Sequence, residues 1–181
     1  NMQKEGKKVL FVSGEMNEID MYGYVNRFPK FGDLPIMFMG DYSDKPKQAF
    51  EQVLTEGYDI VLVDSWAEVT SMVKDQMGWA RNKVESWMLD LLDKHNKGNN
   101  TSSKNTAFIC IQQMTKAGDF AGSNRLKHMT TAMAALRFDG RGRDAERYIE
   151  FSKNRRGEVG DKIYFSLGRG ECVDYSFEMV D

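Results

Sequence analysis

The stretch Tyr58-Asp-Ile-Val-Leu-Val-Asp64 reads as a buried β-strand that ends in a carboxylate. Short apolar runs at 8–12, 35–39 and 106–111 predict further strands of the same kind. Strands and segments with helical periodicity alternate up to residue 111. This alternation predicts an α/β fold in which a mainly parallel sheet is flanked by crossover helices.

Three helices are predicted between these strands. Asn17 can cap a helix that runs to about Arg27, because acidic residues follow in its first turn. Pro46 opens a second helix, which Gly57 ends. A longer third helix follows the strand at 58–64, with apolar residues at i, i+3, i+4, i+7 and i+8: Val84, Trp87, Met88, Leu91 and Leu92.

The pattern changes after residue 111. Strand-like runs joined by short turns predict an antiparallel C-terminal extension, with strands at 132–138, 147–151, 162–167 and 173–179. The chain shows no internal repeat and no proline-rich linker, so residues 1–181 are predicted to form a single domain.

Bulk composition is that of an ordinary globular protein, with 41% apolar and 29% charged residues. The net charge of −2 provides no global basic field, so any contact with nucleic acid has to come from local patches. The apolar runs are far too short for a membrane span, which argues against a membrane partner. Two cysteines without a metal-ligand or disulfide pattern favour a reducing cytoplasmic location.

Polar side chains follow three of the predicted strands. Glu15 comes after the first, Asp64 and Ser65 after the third, and Gln112 and Gln113 after the fourth. Ligands of open α/β sheets collect at the carboxyl ends of the strands. One carboxylate there can hold Mg²⁺ and a second can orient an attacking water. Each residue also has a simpler reading, as a helix cap, a turn residue or a surface amide.

A strongly basic turn, Lys153-Asn-Arg-Arg-Gly157, separates the predicted strands at 147–151 and 162–167. Guanidinium and ammonium groups can neutralise the charge that builds up on a phosphoryl group during transfer. Turns of this composition are also common as solvated loops, so the turn predicts a phosphate contact only together with the strand ends.

Taken together, these motifs resemble the RecA-like ATPases of the RadA (Sms) and DnaB helicase group over residues 7–167. Residues 7–15 are similar to the strand of the catalytic glutamate, and residues 58–65 to the magnesium-site strand. Residues 112–122, followed by 125–129, resemble the sensor strand and the DNA-facing loop of RadA. Residues 151–157 resemble its Lys-Asn-Arg-Phe-Gly motif.

The resemblance implies an ATP and Mg²⁺ site. Glu15 would polarise the attacking water, and Asp64 would support the metal with Ser65 beside it. Gln113 would occupy the sensor position, with Gln112 as the weaker choice.

The resemblance also implies an oligomer that acts on DNA, as a helicase or a branch-migration motor. Lys153 and Arg155 would reach in trans to the nucleotide of the next subunit in a ring. Lys116, Arg125 and Lys127 would lie on or near the loop that faces single-stranded or branched DNA.

Two features depart from the family pattern. Arg156 stands where RadA has an aromatic residue, and no Gly-x-x-x-x-Gly-Lys-Ser/Thr loop occurs in the sequence. Residues 1–6 resemble the end of the helix after that loop, so the natural polypeptide is expected to extend upstream. The alternatives are a catalytically inactive RecA-like binding or regulatory module, and a KaiC-like regulatory ATPase.

Overall fold

The protein is described by a computed structural model that covers residues 2–114, 123–142, 145–166 and 178–179. The chain divides into two compact units, Asn1–Gly122 and Ser123–Asp181. The first unit is an α/β layer structure, and the described part of the second is mainly antiparallel β. The prediction of one domain over residues 1–181 stays a prediction.

The first unit is built on a parallel sheet, as the alternation of strands and helices predicts. Within the described residues its four strands follow the order β2-β1-β3-β4. The register pairs Ser13 with Asp64, so the carboxyl ends of β1 and β3 lie side by side. The strands are β1 (Val9–Ser13), β2 (Ile36–Phe38), β3 (Ile60–Asp64) and β4 (Ala107–Cys110).

Four described helices connect these strands. They are α1 (Glu18–Arg27), α2 (Pro46–Leu54), α3 (Trp66–Met77) and α4 (Arg81–Asn96). Short 3-10 turns cover Met2–Glu5, Pro29–Phe31 and Met39–Tyr42. Among the described residues, no helix combines the length and the hydropathy that crossing a bilayer requires.

The helix α3 was not predicted. The sequence indicated one long helix after the strand at 58–64, but the chain forms two helices there. Gly78 ends α3 with a left-handed φ of 62°, a backbone conformation that glycine adopts without steric cost. The extra helix matters for the site because its first residue follows Ser65.

The core of the first unit lies where the helices pack on the parallel sheet. Alternate residues of β3 point into it, so Val61 and Val63 are completely buried. The helices supply the matching apolar side chains, namely Phe50, Leu54, Val69, Val73, Val84 and Met88. Burial of each such side chain contributes roughly 1.5–3 kcal/mol to the stability of the layer beneath the strand ends.

The edge strand β4 is much less covered. In the described part of the chain it pairs only with β3. Its side chains Ile109 and Ile111, the second just past the strand, are 57% and 45% exposed. Large apolar side chains beside an unpaired strand edge are typical of a surface that another segment covers.

The second unit contains a short helix and an antiparallel sheet of order β5-β6-β7-β8 within the described residues. The predicted antiparallel extension is therefore a sheet of its own. Of the predicted strand at 173–179 only residues 178–179 are described, and the helix α5 was not predicted. The elements are α5 (Asn124–Met129), β5 (Ala132–Asp139), β6 (Glu146–Asn154), β7 (Lys162–Phe165) and β8 (Glu178–Met179).

Candidate active site

The candidate site lies at the carboxyl edge of the parallel sheet in the first unit. Glu15 lies two residues beyond β1, Asp64 is the last residue of β3, and Gln113 lies three residues beyond β4. Parallel strands end at the same edge of a sheet, and this geometry gathers residues that are far apart in the sequence.

The carboxylate of Glu15 is the centre of the cluster. The Ser65 hydroxyl donates a hydrogen bond of 2.9 Å to Glu15 Oε1. The side-chain amide of Gln113 donates a second one, of 3.3 Å, to the same oxygen. Three of the residues that the sequence predicted for one site are therefore in contact. These two donors orient the exposed carboxylate at the sheet edge.

Asp64 is half-buried at the same edge. Burial raises the pKa of its carboxyl group, and the negative charge of Glu15 raises that pKa further. The Asp64 carbonyl accepts a 2.7 Å hydrogen bond from the backbone N–H of Gly14, and the peptide bond between Asp64 and Ser65 is cis. Burial and the charge of Glu15 thus both act against ionisation of Asp64.

Gly14 allows the end of β1 to approach α3 closely. A Cβ atom at this position would lie 2.9 Å from the Cβ of Glu68 and 3.4 Å from the backbone nitrogen of Val69. Those distances leave no room for a side chain at residue 14. The glycine thus sets the distance between Glu15 and the first turn of α3.

Ser65 fixes the other side of the cluster. It is only 1% exposed and is the N-cap of α3, where its hydroxyl accepts a hydrogen bond of 3.4 Å from the backbone N–H of Glu68. A hydroxyl can accept one hydrogen bond and donate another. The same oxygen atom therefore starts the helix and holds Glu15.

The two adjacent glutamines occupy different environments. Gln113 contacts Glu15, whereas Gln112 lines a groove of about 340 Å³ between α3 and α4. Lys74, Arg81 and Thr70 line the same groove. Neighbouring residues of an extended segment point in opposite directions, which explains the separation. The structure thus places Gln113, the preferred sensor residue, in the cluster and Gln112 outside it.

The donor chemistry of the cluster fits Mg²⁺ held largely by water and phosphate oxygens. Mg²⁺ commonly takes only one or two protein carboxylates and keeps several waters. Asp64 and Glu15 offer two carboxylates, and a bound cation would favour the ionised form of Asp64, whose pKa is raised by burial and then by the charge of Glu15. The described residues contain no group of three or more His, Cys, Asp or Glu side chains that could hold a metal alone.

The predicted basic turn, Lys153–Gly157, lies in the second unit and is shorter than predicted: Lys153 and Asn154 are the last residues of β6, and the bend begins at Arg155. The Lys153 ammonium donates to the backbone carbonyls of Lys127, His128 and Thr130 at 2.5, 3.0 and 2.6 Å. The Arg155 guanidinium donates to the carbonyl of His128 at 2.5 Å. The structure therefore brings these two residues together at the carboxyl end of α5, an arrangement that the sequence did not suggest.

The predicted DNA-contacting residues divide between described and undescribed segments. Arg125 and Lys127 lie on α5 and are exposed. Lys116 lies outside the described residues.

Two contacts, one in each unit, were not predicted from the sequence. The close approach at Gly14 had one signal, the glycine between Ser13 and Glu15 at the end of a strand. The contact of Lys153 with α5 had none, because backbone carbonyls carry no sequence identity and α5 itself was not predicted.

Comparison with solved structures identifies the fold. The chain superposes on a KaiC-like protein from the archaeon Pyrococcus horikoshii with a TM-score of 0.59, over 92% of this chain and 75% of that one. The sequence identity is 13%, so the likeness concerns the fold. Together with the parallel sheet and its flanking helices, it shows that the chain has a RecA-like α/β fold.

Comparison with curated proteins points to a more particular relative. The chain is 30% identical over 171 residues to the DNA repair protein RadA of Campylobacter jejuni. The alignment covers 92% of this chain but 35% of RadA, so the chain spans about a third of its relative's length. No protein-family model matches the chain.

Proposed function

We propose that residues 1–181 form the core of an oligomeric, DNA-dependent ATPase, a helicase or branch-migration motor that hydrolyses ATP between subunits. One observation carries the proposal: the carboxylate of Glu15 is held by Ser65 and Gln113 beside Asp64. The two carboxylates can bind a cation and orient a water, and the Gln113 amide is hydrogen-bonded to one of them, Glu15. The similarity to RadA supports the assignment to DNA.

In this proposal each residue of the cluster has one role. Mg²⁺ would be held by Asp64, with the Ser65 hydroxyl beside it, and would neutralise the charge on the phosphates. Glu15 would orient and polarise the attacking water, a role that requires the ionised carboxylate. Gln113 would respond to the terminal phosphate. Because its amide also donates to Glu15, movement of Gln113 would reorient the general base.

The remaining groups come from outside the cluster. Lys153 and Arg155 would reach the nucleotide of the next subunit, where a cation supplied in trans can accelerate transfer by roughly 10³–10⁵. The phosphate-binding loop is not part of residues 1–181 and would come from another segment. The exposed edge of β4 at Ile109 and Ile111 offers a place for the strand that carries this loop.

The test of the proposal is Glu15→Gln in a protein that contains the phosphate-binding loop. We expect turnover to fall by at least about a hundredfold, because the amide cannot take a proton from water, while ATP affinity changes little. Glu18→Gln, on the exposed first turn of α1, is the matched control. Turnover in Glu15→Gln equal to that of the control would refute the role of Glu15.

The trans role of Arg155 has a separate test. Arg155→Ala subunits mixed with wild-type subunits should reduce activity more than in proportion to their share, because each mutant subunit disables its neighbour's site. A linear decrease would mean that Arg155 acts only within its own subunit.

An inactive RecA-like binding or regulatory module is the second candidate, favoured by the absence of the phosphate-binding loop from this sequence. It predicts that a protein containing this chain does not hydrolyse ATP. A KaiC-like regulatory ATPase, suggested by the solved structure of similar fold, would hydrolyse ATP without stimulation by DNA. ATPase assays with and without single-stranded DNA separate the three candidates.

A further inference from the structure

Lys153 and Arg155 contact the carboxyl end of α5, although the proposed function gives these two side chains a role at the nucleotide of the next subunit. Lys153 donates to three backbone carbonyls at this end and Arg155 to one of them. The backbone N–H of Arg155 also donates to the carbonyl of Thr131 at 3.0 Å. The end of β6 and the turn after it thus hold the carboxyl end of α5 through four side-chain hydrogen bonds, and the backbone bond joins the turn to the residue before β5.

The helix α5 needs such support. It has six residues, far fewer than an isolated helix requires in water. Its other anchors are the N-cap Ser123, whose hydroxyl accepts from the N–H of Leu126 at 3.2 Å, and the buried side chain of Leu126. The last carbonyls of a helix lack intrahelical partners and carry partial negative charge, so a cation there stabilises the helix.

Three cationic side chains, Lys153, Arg155 and Lys127, lie close together at the carboxyl end of α5. Burial lowers the pKa of the Lys153 ammonium, and the charges of Arg155 and Lys127 lower that pKa further. All three N–H donors of an ammonium are used when it contacts three carbonyls. Lys153 therefore has no donor left for a phosphate unless it releases at least one carbonyl of α5.

We propose that Lys153 and Arg155 are positioning residues for α5, and that a phosphate reaching the turn competes with the α5 carbonyls for their donors. The turn would then connect a neighbouring subunit's nucleotide to the helix that carries Arg125 and Lys127. The assignment of α5 to DNA rests on the function proposed above, whereas the stabilisation of α5 by Lys153 and Arg155 does not.

Hydrogen exchange of the α5 amides tests directly, in this chain, whether the Lys153 hydrogen bonds stabilise α5. The reporters are the N–H groups of Lys127 and Thr130, which donate to the carbonyls of Ser123 and Leu126. Lys153→Met should speed their exchange by about tenfold or more, as expected when charged hydrogen bonds are lost. Lys153→Arg should retain most of the protection. Unchanged exchange in Lys153→Met would overturn the proposal.

Arg156→Met is the matched control for charge. Its guanidinium belongs to the same turn but makes no hydrogen bond or ion pair to α5 in the described ranges. Exchange of the α5 amides in this variant should stay within about twofold of wild type. An equal acceleration in Lys153→Met and Arg156→Met would mean that net charge, and not the hydrogen bonds of Lys153, protects the α5 amides.

Competition by phosphate is tested by adding inorganic tripolyphosphate to the wild-type chain. We expect faster exchange of the α5 amides as the anion draws Lys153 away, and no further effect in Lys153→Met. Unchanged wild-type exchange at millimolar anion would overturn the competition.

The consequence for DNA is measured by fluorescence anisotropy with a labelled single-stranded oligonucleotide, without nucleotide. Lys153→Met should weaken binding roughly fivefold more than Arg156→Met, because it loosens α5 as well as removing a charge. Equal losses in the two variants would contradict a positioning role. If neither wild type nor any variant binds DNA, the proposed function fails, and the exchange experiment still decides whether Lys153 stabilises α5.

Discussion

Ser65 and Glu15 lie fifty positions apart in the chain and are joined by a hydrogen bond of 2.9 Å from the serine hydroxyl to the carboxylate. The same serine is the N-cap of α3. The orientation of the proposed general base is thereby coupled to the start of a helix that packs on the sheet. This coupling can be measured as stability as well as activity.

Ser65→Ala should lower the free energy of unfolding by about 1 kcal/mol or somewhat more, because it removes a helix cap and a hydrogen bond to a carboxylate. Chemical denaturation of Ser65→Ala, Glu15→Gln and the double variant measures the coupling. We expect the two losses to be non-additive by about 0.5 kcal/mol or more. Additive losses would show that the two side chains do not interact in solution.

Gly14→Ala should destabilise the protein by about 1–3 kcal/mol, because the new methyl group would overlap the Cβ of Glu68. Gly23 provides the contrast, since a Cβ there meets nothing within 4 Å and the residue lies inside α1. Gly23→Ala should stabilise by about 0.5–1 kcal/mol. Thermal unfolding of both variants checks the pair, and a neutral Gly14→Ala would contradict the tight approach of β1 to α3.

Asp64→Asn should stabilise the protein at neutral pH. The pKa of Asp64 is raised on folding by burial and then by Glu15, so its ionised form is less favourable in the folded state. Its contribution therefore becomes destabilising as the pH rises above the ordinary aspartate pKa of about 3.9. The gain in thermal stability at pH 7 should disappear near pH 3.

Asp59→Asn is the control, because we expect it to change the stability at pH 7 in the opposite direction. The backbone N–H of Lys8 donates to the Asp59 carboxylate at 2.8 Å and is the main cause of its lowered pKa. Ionised Asp59 stabilises the fold above its unfolded pKa, so this variant should lose stability at pH 7. A lower unfolding temperature in Asp64→Asn at pH 7 would contradict the unfavourable ionisation of Asp64 in the fold, and a higher one in Asp59→Asn would contradict the stabilising role of its carboxylate.

His95 should make the protein sensitive to mild acid. Its side chain is 3% exposed, its Nδ1 has no hydrogen-bond partner among the described residues, and burial followed by Lys94 lowers its pKa. As the pH falls below about 6.5 the unfolded chain takes up this proton first, so stability is lost. The loss is limited to about 1.4 kcal/mol per pH unit.

Urea denaturation between pH 7 and 5 measures this effect. His95→Leu should remove the acid-dependent loss, whereas His128→Gln, on the exposed surface of α5, should retain it. An identical pH dependence in His95→Leu and wild type would assign the loss to another group.

The local sequence pattern was enough to predict the alternation of strands and helices, the parallel sheet and the polar residues at the strand ends. The apolar runs around Val12 and Val63 specify buried strands because hydrophobic burial depends on local pattern. The run around Cys110 also forms a strand, but the expected burial was wrong there, because β4 is an edge strand in the described part of the sheet. Parallel packing then places Glu15, Asp64 and Gln113 at one edge. The α/β prediction was confirmed for this reason.

The contacts among those residues depend on how distant elements pack against one another. Nothing local in the sequence indicates that Gln113, and not Gln112, meets Glu15, because that choice depends on which way a side chain points after β4. Likewise, Lys153 meets the carbonyls of α5 and Ser65 unites a helix cap with a carboxylate. These contacts join residues distant in the chain, and their geometry is set by the packing of whole elements.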